Sequence, residues 1–558
     1  MTTARALTAA HPRLDTPVLA NRELRPDAHP RQLSVFADAR WDLTAGVFED
    51  HVLGVSMSFQ FAPPRWREDI KHYFWLLIND PQPPGMRRAP TGRLCLRSIA
   101  LLGPKIGRLL AWCEARGIDS LALLDERALE VLLAHVRDLE ASTAVKAGVL
   151  TEVRRLWVFR HLLPQRLRLP EPLPWGGEDT RDLLGVSSST GLESRTPRIH
   201  QAVLGPLLTW AIRFVTALAD DITAAYHQWV ALSTNQPPAH NGPEAVEQRM
   251  IQTLALLTDH RLGLPGHVGP NGSRRIHFSH LGRLVNCHPD VLRRRTDRIT
   301  DAGLPIDDGA YLPCPITARI DGIPWRPRPV MFAEAPTLAR HLSTASFITA
   351  AYLSGMRPGE VLSLKPGAAS HDPVTDLWLL DGWHWKGVTD PDGAKLVTGE
   401  RRVDPWVVHE ITAKAVAVLE RLHDQTWLFP DTLFVAERQR HLNRRAGGAR
   451  TDKATNRDIG LFTAWVNRYC TATGRADSIP PDPAGPVTTS RFRRSLAWNI
   501  VRQPKGLIAA AIQYGHIQLR VTQGYADPRE LHQTGEKVQV ASSRVDHGGL
   551  PRARISTA

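Results

Sequence analysis

The chain has 558 residues, of which 42% are hydrophobic, so it can form roughly three or four domains with buried cores. Its formal net charge of +13 favours polyanionic partners. The five cysteines form no Cys-x-x-Cys pair, which argues against a zinc site or a disulfide framework. The N-terminus lacks the apolar core of a signal peptide, and the apolar segment 203–219 is short for a bilayer span. We expect a soluble, cytoplasmic protein without a membrane partner.

Five parts follow one another along the chain. Residues 1–90 are predicted to form an N-terminal accessory segment, and residues 91–165 show the three- and four-residue spacing of a helical domain. Proline, glycine and serine mark residues 166–198 as a linker. A larger domain is expected at 199–540, with an irregular insertion at about 230–330, and a flexible tail at 541–558.

Basic residues occur in both helical regions. Residues 279–295 have the pattern of a helix-turn-helix, whose second helix would carry Arg293 and Arg294 into a major groove; the alternative is an ordinary amphipathic helix pair. In the helical domain, Arg154 and Arg155 face either phosphate groups or solvent. We treat these four arginines as candidate DNA contacts.

Segment 350–364 predicts two helices separated by a break at Ser354-Gly355. Pro358 would occupy the first position of the second helix, with Glu360 in its first turn. Arg357 would then lie at a helix N-terminus, where free N–H groups favour an anion. An arginine that merely caps the junction is the alternative.

A β-hairpin is predicted at 377–408. Lys386 lies where the first strand enters the turn, and Lys395 lies in the same loop, so either lysine could serve the site. Further along, Thr489 or Ser490 is a predicted N-cap, which would place Arg493 in the first helical turn. Cations there oppose the helix dipole, so Arg491, Arg493 and Arg494 indicate an anionic partner or a solvated basic face.

Tyr525 comes nine residues after His516, and this spacing completes the pattern. Gly515 would end the helix that precedes His516. A tyrosine has a pKa of about 10, so a nucleophilic Tyr525 needs positive charge nearby. The three upstream clusters can supply that charge to a phosphodiester.

Together, Arg357, Lys386, Arg493, His516 and Tyr525 resemble in order and spacing the tyrosine recombinase (phage integrase) family. Ser490 stands where the family usually has a histidine, so a hydroxyl replaces an imidazole. The resemblance implies a mainly α fold with a small β-sheet (α+β). It pairs a helical core-binding DNA clamp with a mixed α/β catalytic domain, which would be residues 199–540.

The resemblance also implies an activity. Tyr525 would form a 3′-phosphotyrosyl intermediate, a 5′-hydroxyl would reseal the strand, and no metal or other cofactor would be needed. Double-stranded recombination sites, a homo-tetramer assembled on DNA, and accessory DNA-bending or directionality proteins are the expected partners, in the cytoplasm at the nucleoid. A type IB topoisomerase would share this chemistry, and a non-catalytic, sequence-specific DNA-binding protein is the second alternative.

Overall fold

The computed structural model describes residues 12–52, 54–81, 83, 93–186, 196–234, 242–269, 271–389, 396–431, 448–503 and 513–514. Helices dominate this part of the chain, and its strands are short and pair in small antiparallel sheets. The predicted class, mainly α with a small β-sheet, is confirmed.

The N-terminal third has one hydrophobic core formed by residues between Val18 and Leu183. Its elements are β1 (Arg40–Asp42), β2 (Ser56–Ser58), α1 (Arg67–Asn79), α2 (Leu96–Ala100), α3 (Gly103–Glu114), α4 (Glu126–Asp138), α5 (Thr143–Phe159) and α6 (Thr180–Leu183). The predicted accessory segment and the predicted helical clamp therefore pack together.

A long helix opens the second core. It runs as α7 (Gln201–Arg213), a π-helical stretch (Phe214–Leu218) and α8 (Ala219–Thr234). By length and composition, this is the one helix among the described residues that could cross a membrane, and half of its most apolar stretch is buried inside the protein. The helix is longer than the apolar segment 203–219 that we judged short for a bilayer span, because it continues beyond Ala219 to Thr234. Arg213 within it pairs with Asp477.

The predicted insertion has a small core of its own, which includes Val246, Leu281 and Ile299. Its elements, with the hairpin that follows, are α9 (Pro243–Asp259), β3 (Gly266–Val268), β4 (Arg274–Ile276), α10 (Phe278–Val285), α11 (Pro289–Arg293), α12 (Thr296–Thr300), β5 (Arg319–Ile320) and β6 (Ile323–Pro324). A left-handed turn at Asn286 separates α10 from α11. The predicted helix pair exists, but its second helix has only five residues.

The remaining elements surround the second core. They are α13 (Ala335–Ser354), α14 (Pro358–Leu362), β7 (Ala369–Asp372), β8 (Leu377–Leu380), β9 (Trp383–His384), β10 (Glu400–Arg401), β11 (Trp406–Val408), α15 (Glu410–Leu422), α16 (Asp452–Thr473) and α17 (Thr489–Val501). Helix α13 is central, since it packs against α7, α8, α15 and α16. Strand β8 lies between β11 and β7, and β9 pairs with β10.

The chain divides into two compact units. The first comprises residues 1–189 and 196–496, and the second comprises residues 190–195 and 497–558. In the described part of the second unit, Arg502 lies over the ring of Trp498 at 4.3 Å.

His341 on α13 makes stability depend on pH. The ring is 2% exposed and lies against Phe462 and Trp465. Burial, assisted by Arg340 and Arg468, lowers the pKa of His341 from 6.5 to about 4. The unfolded chain therefore binds a proton before the folded chain does, and the stabilisation is complete above pH 6.5 and lost as the pH falls towards 4.

We expect His341→Leu to flatten this dependence, because leucine cannot bind the proton. The slope of the unfolding free energy should decrease by about 1.4 kcal/mol per pH unit in that window. Urea denaturation at several pH values measures it, with the exposed His161→Gln as control. Equal slopes for His341→Leu and the wild type would contradict the assignment.

Candidate active site

The break between α13 and α14 is formed by Gly355. Its φ of 67° lies in the left-handed region, which glycine adopts without strain. The Ser354 hydroxyl accepts a hydrogen bond from the Met356 N–H at 3.1 Å and donates one to the Ala350 carbonyl at 2.6 Å. The predicted helix, break and second helix are all present. This turn delivers Arg357 to the start of α14.

Arg357 is fixed by Glu360. One carboxylate oxygen accepts the Arg357 backbone N–H at 2.6 Å, and the other accepts Nη1 of the same residue at 2.8 Å. Glu360 is 3% exposed, whereas the Arg357 side chain is 27% exposed. The carboxylate thus holds the guanidinium in place while part of it still faces solvent.

Arg493 reaches the same turn from α17. Its Nη1 donates to the Gly355 carbonyl at 2.7 Å, and the residue is buried. Helix α17 begins at Thr489, so Arg493 belongs to its second turn, and Thr489 and Ser490 lie inside the helix. The prediction that one of them caps the helix was off by one or two residues. Arg357 and Arg493 nevertheless converge on one turn of the chain.

A third arginine, Arg402, lies near this pair. Burial is the main cause that lowers the pKa of the Arg402 guanidinium. The positive charges of Arg493 and Arg357 lower it further, whereas Glu360 and Asp404 raise it. Sequence reasoning missed it, since Arg401 and Arg402 both follow a predicted loop. Neighbouring residues of a strand point to opposite faces, and this alternation could have indicated that only one of the two arginines faces the site. Arg401 faces away, since its side chain is 66% exposed and pairs with Asp381 at 2.8 Å.

Lys386 and Ser490 lie on the exposed surface. The predicted hairpin is present, with Glu400 opposite His384, and Lys386 lies in the turn after β9. The Ser490 hydroxyl lies 3.3 Å from the Thr488 hydroxyl. Lys395, His516 and Tyr525 fall outside the described residues, so their roles stay predictions.

His51 from the N-terminal core packs on α14. Its Nδ1 lies 3.2 Å from the Ser363 hydroxyl, and its ring is 5.8 Å from the ring of Trp385, which precedes Lys386. Burial, with Arg97 assisting, lowers the pKa of His51 to about 4. A neutral ring thus bridges α14 and the hairpin. No motif in the sequence indicated this contact.

Two arginines of the motif around Arg493 are structural. All five N–H groups of Arg491 are donated within the protein, to the carbonyls of Pro197, Arg198, Gly485 and Pro486 and to Asp482. Arg494 is 2% exposed. These surroundings argue against the predicted DNA contacts of both residues. Both side chains face inward, which a run of charged residues in the sequence does not reveal.

The helical domain divides in a similar way. Arg155 is buried and pairs with Glu152, which also accepts the Tyr73 hydroxyl at 3.2 Å. Arg154 donates to the Glu178 carbonyl and lies over the ring of Trp175. The predicted DNA contact of Arg155 is therefore unsupported, and Arg154 is already engaged within the protein.

Arg293 and Arg294, at the end of α11, are exposed. Arg293 pairs with Asp290. Their exposure is compatible with the predicted DNA contact, which stays a prediction. Within the described ranges, no group of three or more His, Cys, Asp or Glu side chains is arranged to hold a metal ion.

Comparisons with known proteins give a structural likeness and no match in sequence. No protein-family model matches the chain, and no curated protein sequence matches it. Among solved structures, it is similar to the XerH site-specific recombinase bound to difH substrate in a pre-cleavage complex, with a TM-score of 0.34, 12% identity and 80% of each chain covered. A fold likeness at this level does not determine function, which depends on the residues of the site.

Gly359→Ala should disturb the His51 contact, because the added Cβ would collide with the His51 ring. We expect a loss of stability of about 1–3 kcal/mol, with faster hydrogen exchange in the segment around His51. Gly460→Ala on α16 is the matched control, since a Cβ there meets nothing within 4 Å. Similar exchange in the two variants would show that the His51 contact is absent in solution.

Arg491→Met should lower stability by about 3–5 kcal/mol, because it removes the ion-pair partner of Asp482. The side chains of Arg491 and Asp482 are each only 2% exposed. DNA affinity per folded molecule should stay unchanged. Chemical denaturation and a DNA-binding titration measure the two quantities, with Thr471→Ala on the exposed face of α16 as the control. Unchanged stability with weaker DNA binding would instead restore Arg491 as a DNA contact.

Proposed function

We propose that this protein is a site-specific DNA recombinase that cuts and rejoins strands through a tyrosine nucleophile. The observation that carries the proposal is the convergence of Arg357 and Arg493 at the Gly355 turn, although 138 positions separate Arg493 from Gly355 in sequence. Two guanidiniums at one turn suit a phosphate, because each can donate two parallel hydrogen bonds to its oxygens. The order of the predicted motifs supports the same reading.

The proposed first step is a transesterification. The Tyr525 phenolate oxygen attacks the scissile phosphorus and forms a 3′-phosphotyrosyl bond, while the bond from phosphorus to the 5′-oxygen breaks. Arg357 and Arg493 bind the non-bridging oxygens and stabilise the second negative charge of the five-coordinate transition state. His516 donates a hydrogen bond to the same phosphate.

Proton transfer completes that step. Lys386 gives a proton to the leaving 5′-oxygen, so that a neutral hydroxyl departs. A 5′-hydroxyl then attacks the phosphotyrosine in the reverse reaction, which returns the proton and frees Tyr525. Glu360 takes no proton in this scheme: its two hydrogen bonds hold Arg357 in position.

The assembly follows from the reaction. Exchange between two duplexes requires four cleavages, so we propose a homo-tetramer on paired double-stranded sites, helped by DNA-bending or directionality proteins. The cytoplasm, at the nucleoid, is the proposed location. Exposed Arg293 and Arg294 extend the proposed DNA surface to the insertion.

Tyr525→Phe should abolish covalent DNA attachment and retain DNA binding, because only the nucleophilic oxygen is removed. Protein-linked DNA is captured under denaturing conditions from cells that carry the native locus, and its attached 3′ ends are sequenced. We expect discrete paired ends with the wild-type protein and none with the variant.

Other outcomes would decide against this reading. Dispersed Tyr525-dependent ends would indicate a topoisomerase. Intact binding without covalent DNA would indicate a non-catalytic DNA-binding protein. Covalent attachment by Tyr525→Phe would reassign the nucleophile.

A further inference from the structure

We infer that Arg402 is a third phosphate-binding residue of this site and supplies a positive charge that the Ser490 hydroxyl does not carry. This inference rests on the proposed function and deepens it. The ligand class is a tetrahedral oxyanion: the scissile phosphodiester in the enzyme, and a free oxyanion as its simplest mimic.

Trp406 positions Arg402. The guanidinium lies 4.6 Å from the centroid of the Trp406 ring. The backbone N–H of Arg402 donates to the Gly382 carbonyl at 3.0 Å. Trp406 is 2% exposed, so its ring is a fixed platform. Stacking on a buried tryptophan restricts the guanidinium and lowers the entropy lost when it binds an anion.

The same platform adjoins the Gly355 turn. A Cβ built at Gly382 would lie 3.2 Å from the Trp406 ring and 3.7 Å from the Met356 methyl carbon. Met356 links Gly355, which accepts the Arg493 hydrogen bond, to Arg357. Arg402 is thus carried to the turn on which the other two arginines converge.

Charge explains why a third guanidinium is useful. Glu360 is buried and takes one N–H of Arg357, so it offsets part of the positive charge that Arg357 brings. The charged neighbours of Arg402 are Glu360, Asp404, Arg493 and Arg357, so three guanidiniums lie with two carboxylates. The positive excess favours a bound anion, and more so when a second negative charge develops.

The exposed serine gives the inference its direction. A hydroxyl at Ser490 can donate one hydrogen bond but carries no charge. A histidine at this place could carry a proton, and Arg402 is charged at every pH at which the enzyme would work. Arg402 thus adds a permanent positive charge to a site in which Ser490 has none.

The test uses the full-length protein and sodium tungstate as the probe. Isothermal titration should give an affinity for tungstate that falls about 10- to 100-fold in Arg402→Gln, as for the loss of one charge-assisted contact. Arg401→Gln is the matched control: its side chain is exposed and pairs with Asp381. Arg402→Lys, which keeps the charge and the apolar stem, should fall between Arg402→Gln and the wild type.

Covalent capture of DNA, performed in parallel, separates the two proposals. Reduced adduct formation in Arg402→Gln, with Arg401→Gln equal to the wild type, supports the role. Wild-type tungstate affinity and adduct yield in Arg402→Gln overturn it and leave the recombinase proposal intact. Tungstate binding that depends on Arg402, without adducts in the wild type, keeps the oxyanion site and refutes the recombinase. No tungstate binding by the wild type also overturns the inference.

A structural role of Arg402 predicts a different result. Loss of the Trp406 contact alone would lower thermal stability equally with and without tungstate, and would leave the affinity of the folded fraction unchanged. Arg402→Lys would then bind tungstate like the wild type, and the inference would be wrong.

Discussion

The hydrogen bond from Arg493 to the Gly355 carbonyl is the contact on which the candidate site depends. It requires a turn that ends α13, exposes a carbonyl and starts α14 within three residues. Gly355 satisfies this because its left-handed conformation costs glycine nothing. Since α13 lies at the centre of the second core, it supports the turn rigidly. The turn in turn fixes the positions of Arg357 and Arg493.

Buried carboxylates set the positions of the other charges. Glu360 orients Arg357, and Asp482 holds Arg491. Asp221 accepts from the Thr317 and Ala318 N–H groups and from the Trp325 indole, which fastens the C-terminal part of the insertion to α8. Each buried carboxylate is satisfied by several donors, as burial of charge demands. Within the arginine-rich motif, Arg491 is held by a buried carboxylate, whereas Arg493 donates to the Gly355 carbonyl.

The N-terminal region contributes to the site through packing. His51 contacts Ser363, which follows α14, and Trp385 of the hairpin. Arg357 precedes α14, and Lys386 follows Trp385. The neutral ring fits there because burial and Arg97 disfavour its protonated form. Residues 18–183 share one core, so this contact couples the whole helical region to the geometry of the site.

Local patterns in the sequence determined the class of fold, the α13–turn–α14 break, the hairpin and the residues Arg357 and Arg493. Such features follow from backbone preferences of glycine and proline and from periodicity, which neighbouring residues encode. Tertiary structure decided what those patterns could not express: that Arg491 and Arg494 are buried, that Arg402 and not Arg401 joins the arginines, and that His51 packs on α14. The physical reason is that the facing of a side chain depends on contacts between residues distant in sequence, and like arginines in one run differ only in those contacts.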